Sequence, residues 1–140
     1  MDARAVKLFK FLPPMIDTLL ASQRPDWGVL ACGGLPLDDD TFAIDSSGMA
    51  KEGVGRTYAG VSGYCPLAAY VVRHGFCLAL VLRPGVEHSA KETGFNLERV
   101  LPMAQRPSAG SAKALILTRL NSGFDSAALM AGIEQCNKPG

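Results

Sequence analysis

Four aspartates lie close together near residue 40: Asp38, Asp39 and Asp40 in a run, and Asp45 shortly after. Apolar side chains are interleaved with them, at Leu37, Phe42 and Ile44, so the segment is not a solvated acidic tail. We therefore predict a strand over residues 37–45 with an acidic approach and an acidic exit.

The direction of each carboxylate follows from the geometry of a strand. Successive side chains point to opposite faces, so Asp38 and Asp40 should share one face and Asp39 should lie on the other. Two carboxylates on one face repel each other unless a cation or a proton lies between them. Mg²⁺ commonly uses one or two carboxylates together with water and substrate phosphates. The cluster is thus either a magnesium site or a polar strand end with turn-forming Asp and Ser residues.

Four sequence blocks follow one another along the chain. They read LDDDTFAIDSSGMAKEG at 37–53, TYAGVSGYCP at 57–66, LRPGVEH at 82–88 and RLNSG at 119–123. In order and content they resemble blocks of the DDE transposases of bacterial insertion sequences, and the resemblance extends over roughly residues 5–137. The fourth block departs from the family, because Asn121 stands where the family has Asp.

The resemblance implies an α/β (α+β) fold. It is expected to be a partial RNase H-like domain with a mixed sheet and flanking helices. Residues 1–36 would form a helical lead-in and linker, and residues 37–140 the N-terminal part of a truncated catalytic domain. The family carries out DNA cleavage and strand transfer during insertion-sequence transposition, with Mg²⁺ or Mn²⁺ as cofactor and transposon-end DNA as partner. Two such ions stabilise the attacking and leaving oxygens of an in-line displacement.

The resemblance also assigns the candidate site residues. Asp40 is expected to be the first catalytic metal ligand, with Asp38 as the second choice, and Asn121 occupies the position of the second acid. Asparagine offers a neutral carbonyl oxygen where aspartate offers two anionic ones, so we expect metal binding to be weakened. Glu134 is the remaining candidate for the third acid, but it falls on an unsuitable helix. We therefore expect the chain to be catalytically inactive.

Two other functions stay open. The chain could be a non-enzymatic α/β interaction module that regulates an intact transposase, as a hetero- or homo-oligomer. It could also be a metal-dependent nuclease that uses Asp38, Asp40 and Asp125. Co-purification with an intact transposase would distinguish the first, and DNA nicking lost on Asp40→Ala the second.

The remaining pattern predicts the elements around these residues. Apolar spacing and turn signals predict helices at about 13–22 and 90–106, with a kink or restart at Pro102, and a final helix capped by Asp125 or Ser126. A loop is expected at 27–36 and another at 107–111. Strands are expected at 57–61, 65–72, 76–82 and 114–120. We place His88 near the site without assigning it a catalytic step.

Composition excludes several classes. The formal net charge is +1, so the chain lacks the basic excess of a strong DNA-binding protein. Its four cysteines form no C-x-x-C pair, which argues against zinc. No stretch of about 18 apolar residues occurs, so a membrane span is not expected. A reduced, cytoplasmic protein is the simplest expectation.

Overall fold

The structure is a computed structural model that describes residues 14–16, 18–22, 29–72, 75–105 and 115–137. In the part of the chain after residue 29, these residues form seven strands, two α-helices and a short 3₁₀ helix at Ser122–Phe124. The strands are β1 (Gly34–Thr41), β2 (Ile44–Asp45), β3 (Gly55–Arg56), β4 (Ser62–Tyr64), β5 (Leu67–Val71), β6 (Phe76–Val81) and β7 (Leu115–Arg119). The helices are α1 (Thr93–Gln105) and α2 (Ala127–Asn137). The expected α/β class with a mixed sheet and flanking helices is confirmed.

The main sheet has four strands in the order β6-β5-β1-β7. Strands β1, β5 and β6 pair antiparallel, whereas β7 runs parallel to β1. A parallel neighbour requires a crossover connection, and α1 provides it between β6 and β7. Consequently β1 lies inside the sheet with its carboxyl end next to that of β7.

The hydrophobic core lies between this sheet and α1. Helix α1 packs on all four strands, and α2 packs on α1 and β7. Burial along β1 confirms the predicted alternation of faces, because Leu35, Leu37 and Asp39 are fully buried on the α1 side. Helical residues were predicted at 13–22, and residues 14–16 and 18–22 are helical. Two of them, Ile16 and Leu20, pack against the core.

The acidic strand differs from the prediction at both ends. Strand β1 begins at Gly34, inside the predicted loop, and ends at Thr41 rather than at residue 45. After a bend, Ile44–Asp45 forms β2, which belongs to a second sheet of order β2-β4-β3. The second sheet explains the change, since β4 offers β2 an antiparallel partner that the main sheet does not.

Two further predictions were wrong in detail. Residues 57–61 form a turn instead of a strand, because Gly60 adopts a φ of +80° and its N–H bonds the carbonyl of Thr57. Helix α1 continues through Pro102, which is exposed, so the predicted restart is wrong, while the predicted kink stays a prediction. The predicted loop at 107–111 and most of the lead-in before residue 29 lie outside the described residues. None of the described helices is long and apolar enough to cross a membrane.

Candidate functional site

Asp40 and Asn121 meet at the carboxyl ends of β1 and β7. The register pairs Asp38 with Arg119, so Asp40 and Asn121, each two residues further along, lie opposite each other. The Asn121 side chain donates from Nδ2 to Asp40 Oδ1 at 2.5 Å. The same carboxylate oxygen accepts the backbone N–H of Thr41 at 2.7 Å. The structure thus brings together the two strand ends that the sequence blocks single out.

Asn121 is held in place by its own turn. It is the N-cap of the 3₁₀ helix, and its Oδ1 accepts the N–H of Gly123 at 2.9 Å. With Oδ1 used by that cap, the amide nitrogen faces Asp40. An aspartate at 121 could cap the turn equally well, but it would bring a second carboxylate against Asp40. The amide N–H of Asn121 therefore lies where a pair of carboxylates at positions 40 and 121 would need a cation or a proton between them.

Asp38 is neutralised by a different partner on the same face. Its Oδ2 accepts a hydrogen bond from Arg119 Nη2 in an ion pair. This contact raises the pKa of the Arg119 guanidinium. Asp38 is 3% exposed, and its Oδ1 has no hydrogen-bond partner among the described residues. Burial and the neighbouring Asp38 raise the pKa of Tyr70, which lies opposite Asp38 on β5. Asp38 is therefore committed to Arg119, while Asp40 is more accessible.

Asp39 lies on the opposite face and is fully buried against α1. Asn96 Nδ2 donates to its Oδ1 at 3.1 Å. Burial raises the pKa of Asp39 to about 7, against smaller lowering effects of the Asn96 hydrogen bond and the Arg83 charge. Asp39 is thus separated from Asp38 and Asp40 by the sheet itself, and it belongs to the core.

The carboxylates of Asp38 and Asp40 border a pocket of about 250 Å³, which is also lined by Arg119, Leu120 and Asn121. In its present form this pocket does not fit Mg²⁺ or Mn²⁺. Asn121 presents N–H groups to it, and Asp38 is paired with a cation. The described residues also contain no cluster of three His, Cys, Asp or Glu side chains that could hold a metal ion. Asp40 is the carboxylate of this lining that is not paired with a cation, and its Oδ1 already accepts two hydrogen bonds.

The other predicted residues do not line this pocket. His88 sits in the loop before α1, where its Nδ1 accepts the N–H of Ala90 at 3.2 Å. Asp125 follows the 3₁₀ helix and is exposed. Glu134 of α2 borders a separate groove of about 550 Å³, to which Asp38 and Arg119 also contribute. The nuclease hypothesis with Asp125 as third ligand therefore has no support from the geometry.

Three residues near the site escaped the sequence reasoning. Arg83 belongs to the third sequence block, which gives it no role, yet it is 2% exposed and is among the largest fully buried side chains. Asn96 and Ser89 reach the strand ends from α1 and the loop before it. A cationic residue directly after the apolar run of β6 was the available signal for Arg83. No local signal marked Asn96 or Ser89, because their partners lie about fifty residues away in sequence.

Comparison with known proteins assigns no relative. No family model, curated protein or solved structure matches this chain. The function proposed below is therefore supported by the sequence blocks and the site geometry alone.

Proposed function

We propose that the chain belongs to the catalytic domain of a DDE transposase with an RNase H-like fold, and that its metal site is disabled. The four sequence blocks support the family. The order of elements agrees with it, because the first acidic position lies on β1 and the second follows β7, directly after the crossover helix α1. The proposal implies insertion-sequence DNA as the ancestral partner and the cytoplasm as the location.

The contact between Asn121 and Asp40 carries the proposal. These residues are 81 positions apart in sequence, yet their side chains meet at 2.5 Å. Aspartate at 121 would create a pair of carboxylates on adjacent strand ends, which is an arrangement that binds a divalent cation. Asparagine instead gives a neutral, hydrogen-bonded pair. The geometry of the site is retained while the charge needed for the metal is lost.

Loss of that charge explains why we expect no catalysis. A divalent ion next to Asp40 would face the amide N–H groups of Asn121 and, at Asp38, the guanidinium of Arg119. Both are donors, and neither can coordinate a cation. Phosphoryl chemistry of the DDE type requires metal ions that stabilise both oxygens of the displacement. Among the described residues, the side chains around Asp40 do not supply the ligands to hold them.

The decisive experiment is Mn²⁺ titration by calorimetry with the native chain and the Asn121→Asp variant. We expect no binding to the native chain and measurable binding to Asn121→Asp, lost again when Asp40→Ala is added. The variant Ser122→Asp is a matched control, since it adds the same charge one residue further on an exposed position. Circular dichroism should show that all variants are folded. If folded Asn121→Asp fails to bind Mn²⁺, the proposal is wrong.

A second candidate function is an interaction module that regulates an intact transposase. Its support is the groove of about 550 Å³ beside β7, whose apolar lining includes Leu117, Met130 and Ile133. Leu117 and Met130 are 39% and 44% exposed, and exposed apolar surface of this kind marks interaction sites. Co-purification with a full-length transposase that carries the four blocks, lost on Met130→Lys, would favour this function. Sedimentation of the chain alone would detect a homo-oligomer.

A further inference from the structure

One buried side chain determines the course of the loop between β6 and α1, residues 84–92, which we call the Arg83 loop. Arg83 Nη1 donates to three carbonyls of this loop, those of His88 at 3.3 Å, Ser89 at 3.3 Å and Lys91 at 2.7 Å. Its Nε donates to the carbonyl of Cys65 at 3.1 Å, just before β5. One guanidinium therefore fixes the loop to the main sheet.

The end of the Arg83 loop shows how tightly it is held. Glu92 adopts a φ of 62°, which is uncommon for a residue with a side chain. Such a conformation persists where the surrounding contacts over-determine it. Here the carbonyl of Lys91 is held by Arg83, and the carbonyl of Glu92 accepts the N–H of Asn96 at 3.0 Å. The loop is thus restrained at its middle and at its end.

Ser89 is the point at which the Arg83 loop touches the candidate site. Its Oγ lies 3.0 Å from Thr41 Oγ1, at the end of β1. On its other side, a Cβ added to Gly123 would lie 3.2 Å from both Cβ and Oγ of Ser89. Ser89 therefore contacts the last residue of β1 and lies close to the turn that follows β7.

Both neighbours of Ser89 form hydrogen bonds with the pair at the centre of the site, Asp40 and Asn121. Thr41 follows Asp40, and its backbone N–H holds the Asp40 carboxylate at 2.7 Å. Gly123 donates its N–H to Asn121 Oδ1 at 2.9 Å. A shift of Ser89 would move Thr41 or Gly123, and either movement would change how residues 40 and 121 face each other.

We propose that Ser89, held in place by Arg83, is a positioning residue that sets the separation between Asp40 and residue 121. This role rests on the function proposed above, since the separation matters for metal binding. It does not require Ser89 to touch the metal or the DNA. Removing a group that orients a metal ligand without touching the metal typically lowers metal affinity by about 10–100-fold.

The first test measures metal affinity in the Asn121→Asp chain. Adding Ser89→Ala should weaken Mn²⁺ binding by about tenfold while the far-UV circular dichroism is unchanged. Thr41→Val removes the other hydroxyl of the pair and should have a similar effect, whereas Thr41→Ser keeps the hydroxyl and should retain the affinity. Ser47→Ala, in the turn after β2, is the matched control and should leave the affinity unchanged.

The second test needs no metal and uses the native Asn121. The side-chain amide signals of Asn121 in ¹⁵N NMR spectra report its hydrogen bond to Asp40. Ser89→Ala should shift them, and Ser47→Ala should not. Unmoved amide signals would overturn the positioning role, as would an unchanged Mn²⁺ affinity in folded Asn121→Asp/Ser89→Ala. If Asn121→Asp binds no Mn²⁺, the proposed function fails, and the NMR result still decides whether Ser89 positions the pair.

Discussion

Replacing Asp39 with asparagine should remove a large part of the pH dependence of folding between about pH 4 and pH 7. Asp39 is fully buried between β1 and α1, and burial raises its pKa from 3.8 to about 7. In that interval the folded chain keeps the proton, whereas the unfolded chain has already lost it. Folding is therefore favoured at low pH by this group, and the stability that it contributes is lost as the pH rises through 7.

The size of the effect follows from the difference in pKa. Each unit of pKa difference corresponds to about 1.4 kcal/mol, so a change from 3.8 to about 7 amounts to at most about 4 kcal/mol. Asparagine has nearly the same shape and carries no charge at any of these pH values. It can accept from Asn96 Nδ2 as Asp39 does, and it can also donate to Asn96 Oδ1, which has no partner among the described residues.

The assay is urea unfolding followed by circular dichroism at several values between about pH 4 and pH 8. The free energy of unfolding of Asp39→Asn minus that of the native chain should grow with pH, by up to about 4 kcal/mol. Asp125→Asn, which makes the same substitution at an exposed position, is the matched control. A constant difference between Asp39→Asn and the native chain across the range would refute the reasoning, because Asp39 would then titrate alike in both states.

Two further predictions concern packing. Leu37→Ala, at a fully buried position of the core, should lower the free energy of unfolding by about 2–5 kcal/mol, whereas Leu82→Ala, at a position 63% exposed, should change it by less than about 0.5 kcal/mol. Equal effects in urea unfolding would contradict this placement of the core. Gly63→Ala should disrupt the second sheet, since a Cβ there would lie 1.8 Å from the carbonyl oxygen of Ile44. Gly94→Ala, in the first turn of α1, should be neutral or stabilise by up to about 1 kcal/mol, because a Cβ there meets nothing within 4 Å. The amide NMR signals of β2 and β4 should be lost in Gly63→Ala and kept in Gly94→Ala.

Local pattern predicted much of the fold. The placement of Asp38 and Asp40 on one face and Asp39 on the other followed from the two-residue period of a strand, and the structure confirms it. The apolar run at 76–82 became β6, and the period of apolar residues around Leu97 and Val100 became α1. The limits of β1 could not be predicted, because they depend on which strands offer hydrogen-bond partners. The turn at 57–61 was missed since its apolar and aromatic residues resemble those of a strand.

By itself, the sequence determined the candidate site as a set of positions. It singled out Asp38, Asp40 and Asn121, and the resemblance implies that asparagine at 121 stands in the place of an aspartate. Those conclusions need only residue identity, strand period and the resemblance of the four blocks. The sequence also determined the α/β class, because the spacing of apolar residues differs between strands and helices and can be read locally along the chain.

Only the tertiary structure decided what each carboxylate does. Arg119 pairs with Asp38, and the amide of Asn121 donates a hydrogen bond to Asp40. Asn96 donates a hydrogen bond to Asp39, whose burial raises its pKa. Each of these contacts joins residues at least 57 positions apart. The physical reason is that charge, pKa and hydrogen bonding depend on the distance to partners and on exclusion of water. Both are set by how the sheet, α1 and the Arg83 loop pack together.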